Sequence, residues 1–216
     1  MAKALIDGWE DSSSTDSQVA ICRACDKGPA SFNQLHRVVL SVVYDVPVGR
    51  GRTFGTSLPR AADLLVGGWI FTGITSFSSG VPIFLTSPNT TGVVYTSTRP
   101  NRICNGADSK LSGNLRTDGL VDFNTSCFVS PPVGYFGNAG RAPLNGPGVN
   151  NWDLGVEKTF SIREQAKIEL RGEFFNAFNH AQFGLPSADT GSGVNFGRVS
   201  SAKNPRLIQL GMKLLF

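Results

Sequence analysis

The feature that most constrains this chain is a strict alternation of side-chain character between residues 166 and 174. Apolar residues or glycine occupy every second position, and charged residues occupy the positions between them: Lys167, Glu169, Arg171 and Glu173. A β-strand places alternate residues on opposite faces, whereas a helix turns 100° per residue and would scatter these charges around its axis. We therefore predict a strand with one apolar face and one charged face.

Four further segments alternate in the same way and are predicted as strands, over residues 36–46, 69–77, 152–162 and 206–216. Lys158 is the exception on the apolar face of the third segment. In the last segment, burial of the apolar set is worth ~1.5–3 kcal/mol per side chain. A one-residue slip would instead turn Lys213 toward lipid, at a cost of ~2–4 kcal/mol near the midplane. The pattern therefore indicates which face meets an apolar phase, and the segment lengths suit tilted membrane strands.

The connections between these segments alternate in length. A tight turn is predicted over residues 163–165, while stretches rich in Gly, Pro and Asn span residues 82–151 and 180–205. The connection over residues 47–68 is longer than a tight turn, and we predict a short helix over residues 61–66. Short turns at one end and long loops at the other are typical of outer membrane barrels. The predicted fold is all-β: an antiparallel transmembrane β-barrel fragment of about five C-terminal strands with long extracellular loops.

Five strands are too few for a closed barrel, since the smallest single-chain barrels have eight. An open sheet is costly in lipid because each unpaired edge group costs several kcal/mol. The sequence that begins at Met1 also lacks the apolar core of a signal peptide, although an outer membrane protein must be exported. We therefore expect the chain to be one piece of a larger barrel and not to function alone.

Composition and charge argue against several other classes. The 216 residues include 25 Gly and 12 Pro, and 17% are charged, which does not suit an ordinary α/β enzyme. No apolar window of 18 residues predicts a spanning helix. The net charge of +4 is small, and the cluster of Arg50, Arg52 and Arg60 is interpreted as a basic turn in solvent. We expect no nucleic-acid partner, because no basic stripe with interleaved aromatic residues is present.

The sequence contains no catalytic constellation. The GxSxG and HExxH motifs do not occur, and the Gly-rich string over residues 49–55 misses the dinucleotide-binding spacing by one residue. We therefore expect the protein not to be an enzyme. No catalytic, cofactor-binding or metal-binding residue is assigned.

Four cysteines occur, at Cys22, Cys25, Cys104 and Cys127. The CxxC pair admits a zinc or a redox site, but no second CxxC and no strand–helix pattern accompany it. Loop disulfides in an exported protein are the simpler interpretation. A Cys104–Cys127 bridge is one possible pairing and would contribute ~3 kcal/mol in the chain-entropy model. The pairing of the other two cysteines is left open.

The last predicted strand carries a pattern at Gln209, Gly211, Leu214 and Phe216. This pattern of a polar residue, a glycine, a hydrophobic residue and a terminal aromatic resembles the C-terminal assembly signal of outer membrane barrels. The resemblance implies that the barrel-assembly machinery reads this strand. The physical logic is an open strand edge offered for pairing, with an aromatic anchor for docking.

Longer strings resemble the C-terminal region of large TonB-dependent receptors of the Oar-like kind, which carry an N-terminal carboxypeptidase-regulatory-like domain. The similarity spans about residues 32–216 and rests on GGWIFTGIT (67–75), RPNRIC (99–104), NWDL (151–154), FFNAFNH (174–180) and NFGR (195–198). It implies that residues 1–34 are an extracellular loop after a truncated strand and that residues 35–216 are the last strands of the barrel. It also implies a 22-stranded barrel with a plug in the bacterial outer membrane.

The resemblance implies active uptake of a scarce nutrient, such as a chelate or a glycan fragment, by the whole receptor. Lys167, Glu169, Arg171 and Glu173 are interpreted as a solvated, lumen-facing wall with cross-strand ion pairs. The expected partners are the rest of the barrel and its plug, the barrel-assembly machinery, TonB through the missing N-terminal part, and the lipid bilayer; no cofactor is expected. Two alternatives stay open: a segment of a passive porin or surface-adhesion barrel, and a secreted β-sandwich binding module.

Overall fold

The computed structural model describes residues 5–6, 18, 22–93, 98–108, 114, 119–163 and 166–216. The chain divides into two compact units. The strand unit comprises Val38–Phe77, Asn150–Ala181 and Asn204–Phe216, and the loop unit comprises Met1–Arg37, Ser78–Val149 and Gln182–Lys203. The long connections between strands thus form a unit of their own.

Five long strands form one sheet, and all five predicted strands are present. They are β1 (Arg37–Asp45), β2 (Trp69–Ser78), β3 (Val149–Arg163), β4 (Ala166–Phe175) and β5 (Leu207–Leu215). The order across the sheet is β5-β4-β3-β2-β1, so that strands adjacent in sequence are neighbours in space. The pairs β3–β4 and β4–β5 are antiparallel. The sheet is open, with β1 and β5 at its edges.

Strand β3 begins three residues before the predicted start at residue 152. Asn is disfavoured in strands, so Asn150 and Asn151 suggested a loop. Their side chains are instead used within the strand: Asn150 Oδ1 accepts a 3.0 Å hydrogen bond from Trp152 Nε1, and Asn151 Nδ2 donates at 2.9 Å to Asp153 Oδ2. At the other end, Arg163 pairs with Ala166 after a register shift. The remaining residues of the predicted turn, 164 and 165, lie outside the described part of the chain.

The register gathers the apolar residues of each strand on one side of the sheet. Phe160, Ile168 and Leu214 form one row across β3, β4 and β5. Lys158 shares the next row with Leu170 and Met212. We call this side the apolar face and the opposite side the polar face. Leu210 and Met212 on the apolar face are 80% and 75% exposed, and so large an uncovered apolar surface requires an apolar surrounding.

A short helix lies in the connection from β1 to β2. Helix α2 (Arg60–Val66) matches the helix predicted over residues 61–66, and Gly67 follows it with its amide bonded to Asp63 O at 2.8 Å. Gly68 then adopts a φ of +68°, and a Cβ there would lie 2.6 Å from Thr159 O. Glycine at this position therefore ends the helix and allows the backbone to pass close to Thr159, so that β2 can pair with β3.

None of the helices in the described part of the chain has both the length and the hydrophobicity of a membrane-spanning helix.

The loop unit has short elements. It contains α1 (Arg23–Asp26), 3₁₀ turns at Gly106–Asp108, Thr125–Cys127 and Thr190–Asn195, and the strand pairs Leu5–Ile6 with Gly28–Pro29, Pro82–Ile83 with Leu144–Asn145, Asn101–Arg102 with Phe128–Val129, and Leu120–Val121 with Arg198–Val199. Its core holds Ile83, Leu85, Phe123, Phe128 and Leu144. The ring of Phe123 packs edge-on against Phe128 at 5.7 Å between centroids.

Polar contacts also hold the loop unit together. Arg99 and Asp26 form a buried ion pair, with side-chain exposures of 5% and 2%. Gln18 joins three segments. Its backbone amide donates to Asp26 Oδ1 at 3.1 Å. Its side-chain Oε1 accepts from the backbone amide of Arg99 at 2.7 Å, and its side-chain Nε2 donates to Gly137 O at 2.8 Å. Buried polar atoms are thus satisfied between segments that are distant in sequence.

Candidate functional site

The four charged residues predicted on one strand face lie together on the polar face of β4. Lys167, Glu169, Arg171 and Glu173 alternate with the apolar positions of that strand, as the sequence indicated. The guanidinium of Arg171 is 3.1 Å from Glu157 Oε2 on β3, its direct cross-strand partner. A cross-strand ion pair of the kind expected from the sequence is thus present, and the register identifies Glu157 as the partner. We call the four residues and Glu157 the ladder of charges.

Arg171 is the centre of this ladder. Its guanidinium lies 3.5 Å from Glu169 Oε1 and 3.9 Å from Glu173 Oε1, in addition to the contact with Glu157. The guanidinium presents five donors in a planar fork, so that one side chain serves several carboxylates. Three carboxylates therefore share this one arginine, and Lys167 and Lys213 add positive charge on the same face.

The last strand completes this part of the polar face. Lys213 stands opposite Glu169, Gly211 opposite Arg171, and Gln209 opposite Glu173. A shallow cavity of about 300 Å³ lies among these side chains. A Cβ added at Gly211 would meet no atom within 4 Å, so the missing side chain leaves open space beside Arg171.

The four residues of the proposed assembly signal divide between the two faces. Gln209 and Gly211 lie on the polar face, whereas Leu214 pairs with Ile168 on the apolar face. Phe216 follows the end of β5 and is 99% exposed. The signal therefore forms no single pocket, and its aromatic ring has almost no cover within the described chain.

A second and larger cavity, of about 920 Å³, lies beside α2. Its lining includes four cations from three places in the sequence, with one acid: Arg50, Arg52, Arg60, Lys167 and Asp63. Asp63 Oδ1 accepts a 2.6 Å hydrogen bond from the amide of Arg50, and Arg60 Nη2 donates at 2.6 Å to the backbone carbonyl of Ile162. The cavity is consequently basic. The sequence interpretation of a simple solvated turn missed it, because Lys167 joins the arginines only through strand pairing.

The polar face changes character toward β1 and β2. The hydrogen bonds from the amide of Val46 to Trp69 O and from the amide of Ser79 to His36 O, both 2.9 Å, fix the register of these strands. On the polar face this register places Ile74 diagonally between two valines of β1, and we call Val39, Val43 and Ile74 the aliphatic patch. These three side chains are 51%, 73% and 50% exposed. The polar face is therefore charged around Arg171, whereas toward β1 and β2 it combines the aliphatic patch with the hydroxyl residues Ser41, Thr72 and Ser76.

Lys158 has a specific place on the apolar face. Its ammonium donates a hydrogen bond to Gly67 O and lies 5.2 Å from the ring centroid of Trp69 and 5.1 Å from that of Phe160. The residue is only 4% exposed. Sequence periodicity marked this lysine as an exception but gave no partner for it.

Both cysteine pairs form disulfides in the loop unit. Cys104 bonds to Cys127, and Cys22 bonds to Cys25. The second bond gives the pairing that the sequence had left open. Within the described part of the chain, no group of three or more His, Cys, Asp or Glu side chains is placed to hold a metal ion.

A model of a known protein family, described as an outer membrane beta barrel domain, matches residues 2–209. The chain belongs to this outer membrane β-barrel family. The protein is therefore located in the bacterial outer membrane, and its open sheet is part of a transmembrane barrel. No curated protein and no solved structure matches the chain.

Membership of this family indicates which face of the sheet meets lipid. In a barrel of this family the apolar band faces lipid, which accounts for the exposure of Leu210 and Met212. The family match ends at Gln209, so Gly211, Leu214 and Phe216 lie beyond it. The role of those three residues in assembly stays a prediction from the sequence pattern.

Proposed function

We propose that this chain is the C-terminal barrel segment of a TonB-dependent receptor, which imports a scarce nutrient such as a chelate or a glycan fragment. The resemblance of five strings between residues 67 and 198 supports the proposal. The chain acts as part of a larger barrel, because its five strands leave both sheet edges without partners inside the described chain. Catalysis has no part in this function.

The aliphatic patch is the observation that favours a receptor over a passive porin. In a barrel, the face opposite the lipid looks into the lumen, and the lumen of an open porin is polar and filled with water. Val39, Val43 and Ile74 would expose aliphatic surface to that water. A plug that packs against β1 and β2 removes this cost, because burial of apolar surface is favourable. We therefore assign the patch to plug contact.

The charged part of the same face suits a hydrated pathway. Around Arg171 the wall carries charges of both signs, and in the cavity beside α2 it is basic. Charged linings with low-dielectric walls focus electric fields and attract oppositely charged solutes. On this proposal, Lys167, Glu169, Arg171 and Glu173 line the route that opens when TonB acts on the plug through the N-terminal part.

Channel conductance of the full-length parent protein tests the proposal. Reconstituted in a planar bilayer, the intact protein should be closed, and deletion of the plug should produce large stable openings. Uptake in cells should require TonB and the proton-motive force. Open channels from the intact protein, or uptake that is independent of TonB, would instead establish a passive porin.

A substitution in the aliphatic patch tests the assignment of the plug contact. Val43→Asp places a charge against the proposed apolar contact and should make the intact protein leak intermittently. Ser161→Asp, on the charged part of the same face, is the matched control and should leave the channel closed. Equal behaviour of the two variants would remove the patch as support for a plug.

A further inference from the structure

Helix α2 has two faces of different chemistry. Arg60, Asp63 and Leu64 line the basic cavity, together with Gly67 at the helix end. At 100° per residue, these positions share one side of the helix, and Leu65 and Val66 lie on the other. Leu65 is 73% exposed and Val66 is 43% exposed. The second side is thus apolar and uncovered within the strand unit.

The uncovered side of α2 continues the apolar face of the sheet. Trp69 belongs to that face, and its Nε1 donates a 2.9 Å hydrogen bond to Leu65 O. Lys158, from the same face, donates to Gly67 O. Two side chains of the lipid-facing surface therefore bind the C-terminal end of α2. Contact also extends to the end of β3, where Arg60 donates to the carbonyl of Ile162.

We propose that α2 is an interfacial anchor that inserts Leu65 and Val66 among the lipid acyl chains at this end of the barrel. Trp69 and Lys158 then lie at the lipid–water boundary, where tryptophan and long cationic side chains are favoured. The basic cavity faces the lumen from the opposite side of the same helix. The bilayer contact of this protein thus includes a connection between strands as well as the strands themselves. This inference rests on membership of the outer membrane barrel family and is independent of nutrient uptake.

Adjacent leucines on different sides of α2 provide a matched test. Leu65→Cys and Leu64→Cys are made separately in the full-length protein, labelled with an environment-sensitive fluorophore and reconstituted in phosphatidylcholine vesicles. The four cysteines of this chain are paired in disulfides, so they leave no competing thiol here. Lipids with a spin label on the acyl chain should quench the fluorophore at position 65 several-fold more than that at position 64.

Collision measurements with a spin label at the same positions give an independent readout. A label at position 65 should collide mainly with lipid-soluble oxygen, and one at position 64 mainly with a water-soluble nickel chelate. Barrel assembly of each labelled variant is checked by its heat-modifiable gel mobility. A water-exposed label at position 65 in an assembled barrel, or equal quenching at the two positions, would overturn the proposal. Failure of uptake assays would leave these measurements unaffected.

Discussion

The ammonium group of Lys158 donates a hydrogen bond to the backbone carbonyl of Gly67 and so joins strand β3 to the end of helix α2. Lys158→Met keeps the length and apolar stem of the side chain but removes this bond and the cation–π interactions with Trp69 and Phe160. Hydrogen bonds to charged groups contribute about 1.5–3 kcal/mol. We expect the connection between β1 and β2 to open at least about tenfold more often, since 1.4 kcal/mol corresponds to a factor of ten.

Trypsin cleavage within this connection measures that opening, because Arg50, Arg52 and Arg60 are its cleavage sites. Lys213→Met, on the polar face of β5, removes a lysine elsewhere and should leave the cleavage rate unchanged. If Lys158→Met also leaves it unchanged, the lysine does not hold α2.

Replacement of Arg171 should destabilise the sheet in a salt-dependent way. Arg171→Gln leaves Glu157, Glu169 and Glu173 without their shared cation. The urea midpoint of unfolding in detergent should fall, and it should fall further at low ionic strength, where repulsion between carboxylates is less screened. Adding Glu157→Gln should recover part of the loss. If the urea midpoint of the variant does not depend on salt concentration, the ladder of charges does not stabilise the sheet electrostatically.

Loss of the longer disulfide should loosen the loop unit. Cys104→Ser with Cys127→Ser opens a loop with a sequence separation of 23, worth about 3 kcal/mol in the chain-entropy model. Hydrogen exchange of the amides around Phe123 and Phe128 should accelerate accordingly. Cys22→Ser with Cys25→Ser opens a loop with a separation of only three and should have a smaller effect. The reverse ranking would contradict the loop-length argument.

Asp122 should make the stability of the loop unit depend on pH. Its Oδ2 is buried and has no hydrogen-bond partner in the described structure, and burial raises the pKa of this carboxyl. At pH values between the ordinary pKa of an aspartate and the raised pKa of Asp122, this carboxyl is protonated in the folded protein but ionised in the unfolded chain. Stability should therefore fall as pH rises through this window and stay lower above it.

The variant Asp122→Asn cannot ionise and should remove this pH dependence. It should slow hydrogen exchange of the loop unit at neutral pH and make little difference at pH values below the carboxyl range. Asp189→Asn is a suitable control, because it also removes a loop carboxylate but one whose Oδ1 accepts a hydrogen bond from the amide of Gly191. Identical pH profiles for wild type and Asp122→Asn would contradict the prediction.

Two changes in or directly after β5 should reduce assembly of the barrel without changing the stability of the barrel that does assemble. Gly211→Ala adds a methyl group that meets no atom within 4 Å, and deletion of Phe216 removes a ring that is 99% exposed. Both variants of the parent protein should lower the amount of assembled barrel while leaving the urea midpoint of the assembled fraction unchanged. Lys213→Met, in the same strand but outside the pattern, should assemble normally. Normal assembly of both variants would make the terminal pattern a chance match.

The sheet could be predicted from the sequence because each of its strands carries a complete local signal. Residues 166–174 alternate strictly, and the actual strand, β4, is longer by one residue. The start of β3 was predicted too late because Asn150 and Asn151 disfavour strands in general, and the hydrogen bonds that satisfy their side chains depend on their neighbours in the folded strand.

The remaining features depend on register and on contacts that local patterns do not contain. Cross-strand ion pairs were expected for Arg171, but its partner Glu157 is identified only by the register of β3 against β4. Lys167 shares a cavity with Arg50 although more than a hundred residues separate them. Lys158 stood out as an exception, yet its partner, Gly67 O, belongs to the backbone and leaves no mark in the sequence. The strand pairs of the loop unit are two residues long, too short for any periodicity to be seen.

The three hydrogen bonds of Gln18 have a consequence for how the surface of this protein can diversify. Surface loops usually tolerate insertions and exchanges one at a time. Here one side chain and its amide tie together the segments that contain Asp26, Arg99 and Gly137, so an insertion in any of them breaks contacts with the others. A molecule that binds this region would therefore contact residues from several segments at once.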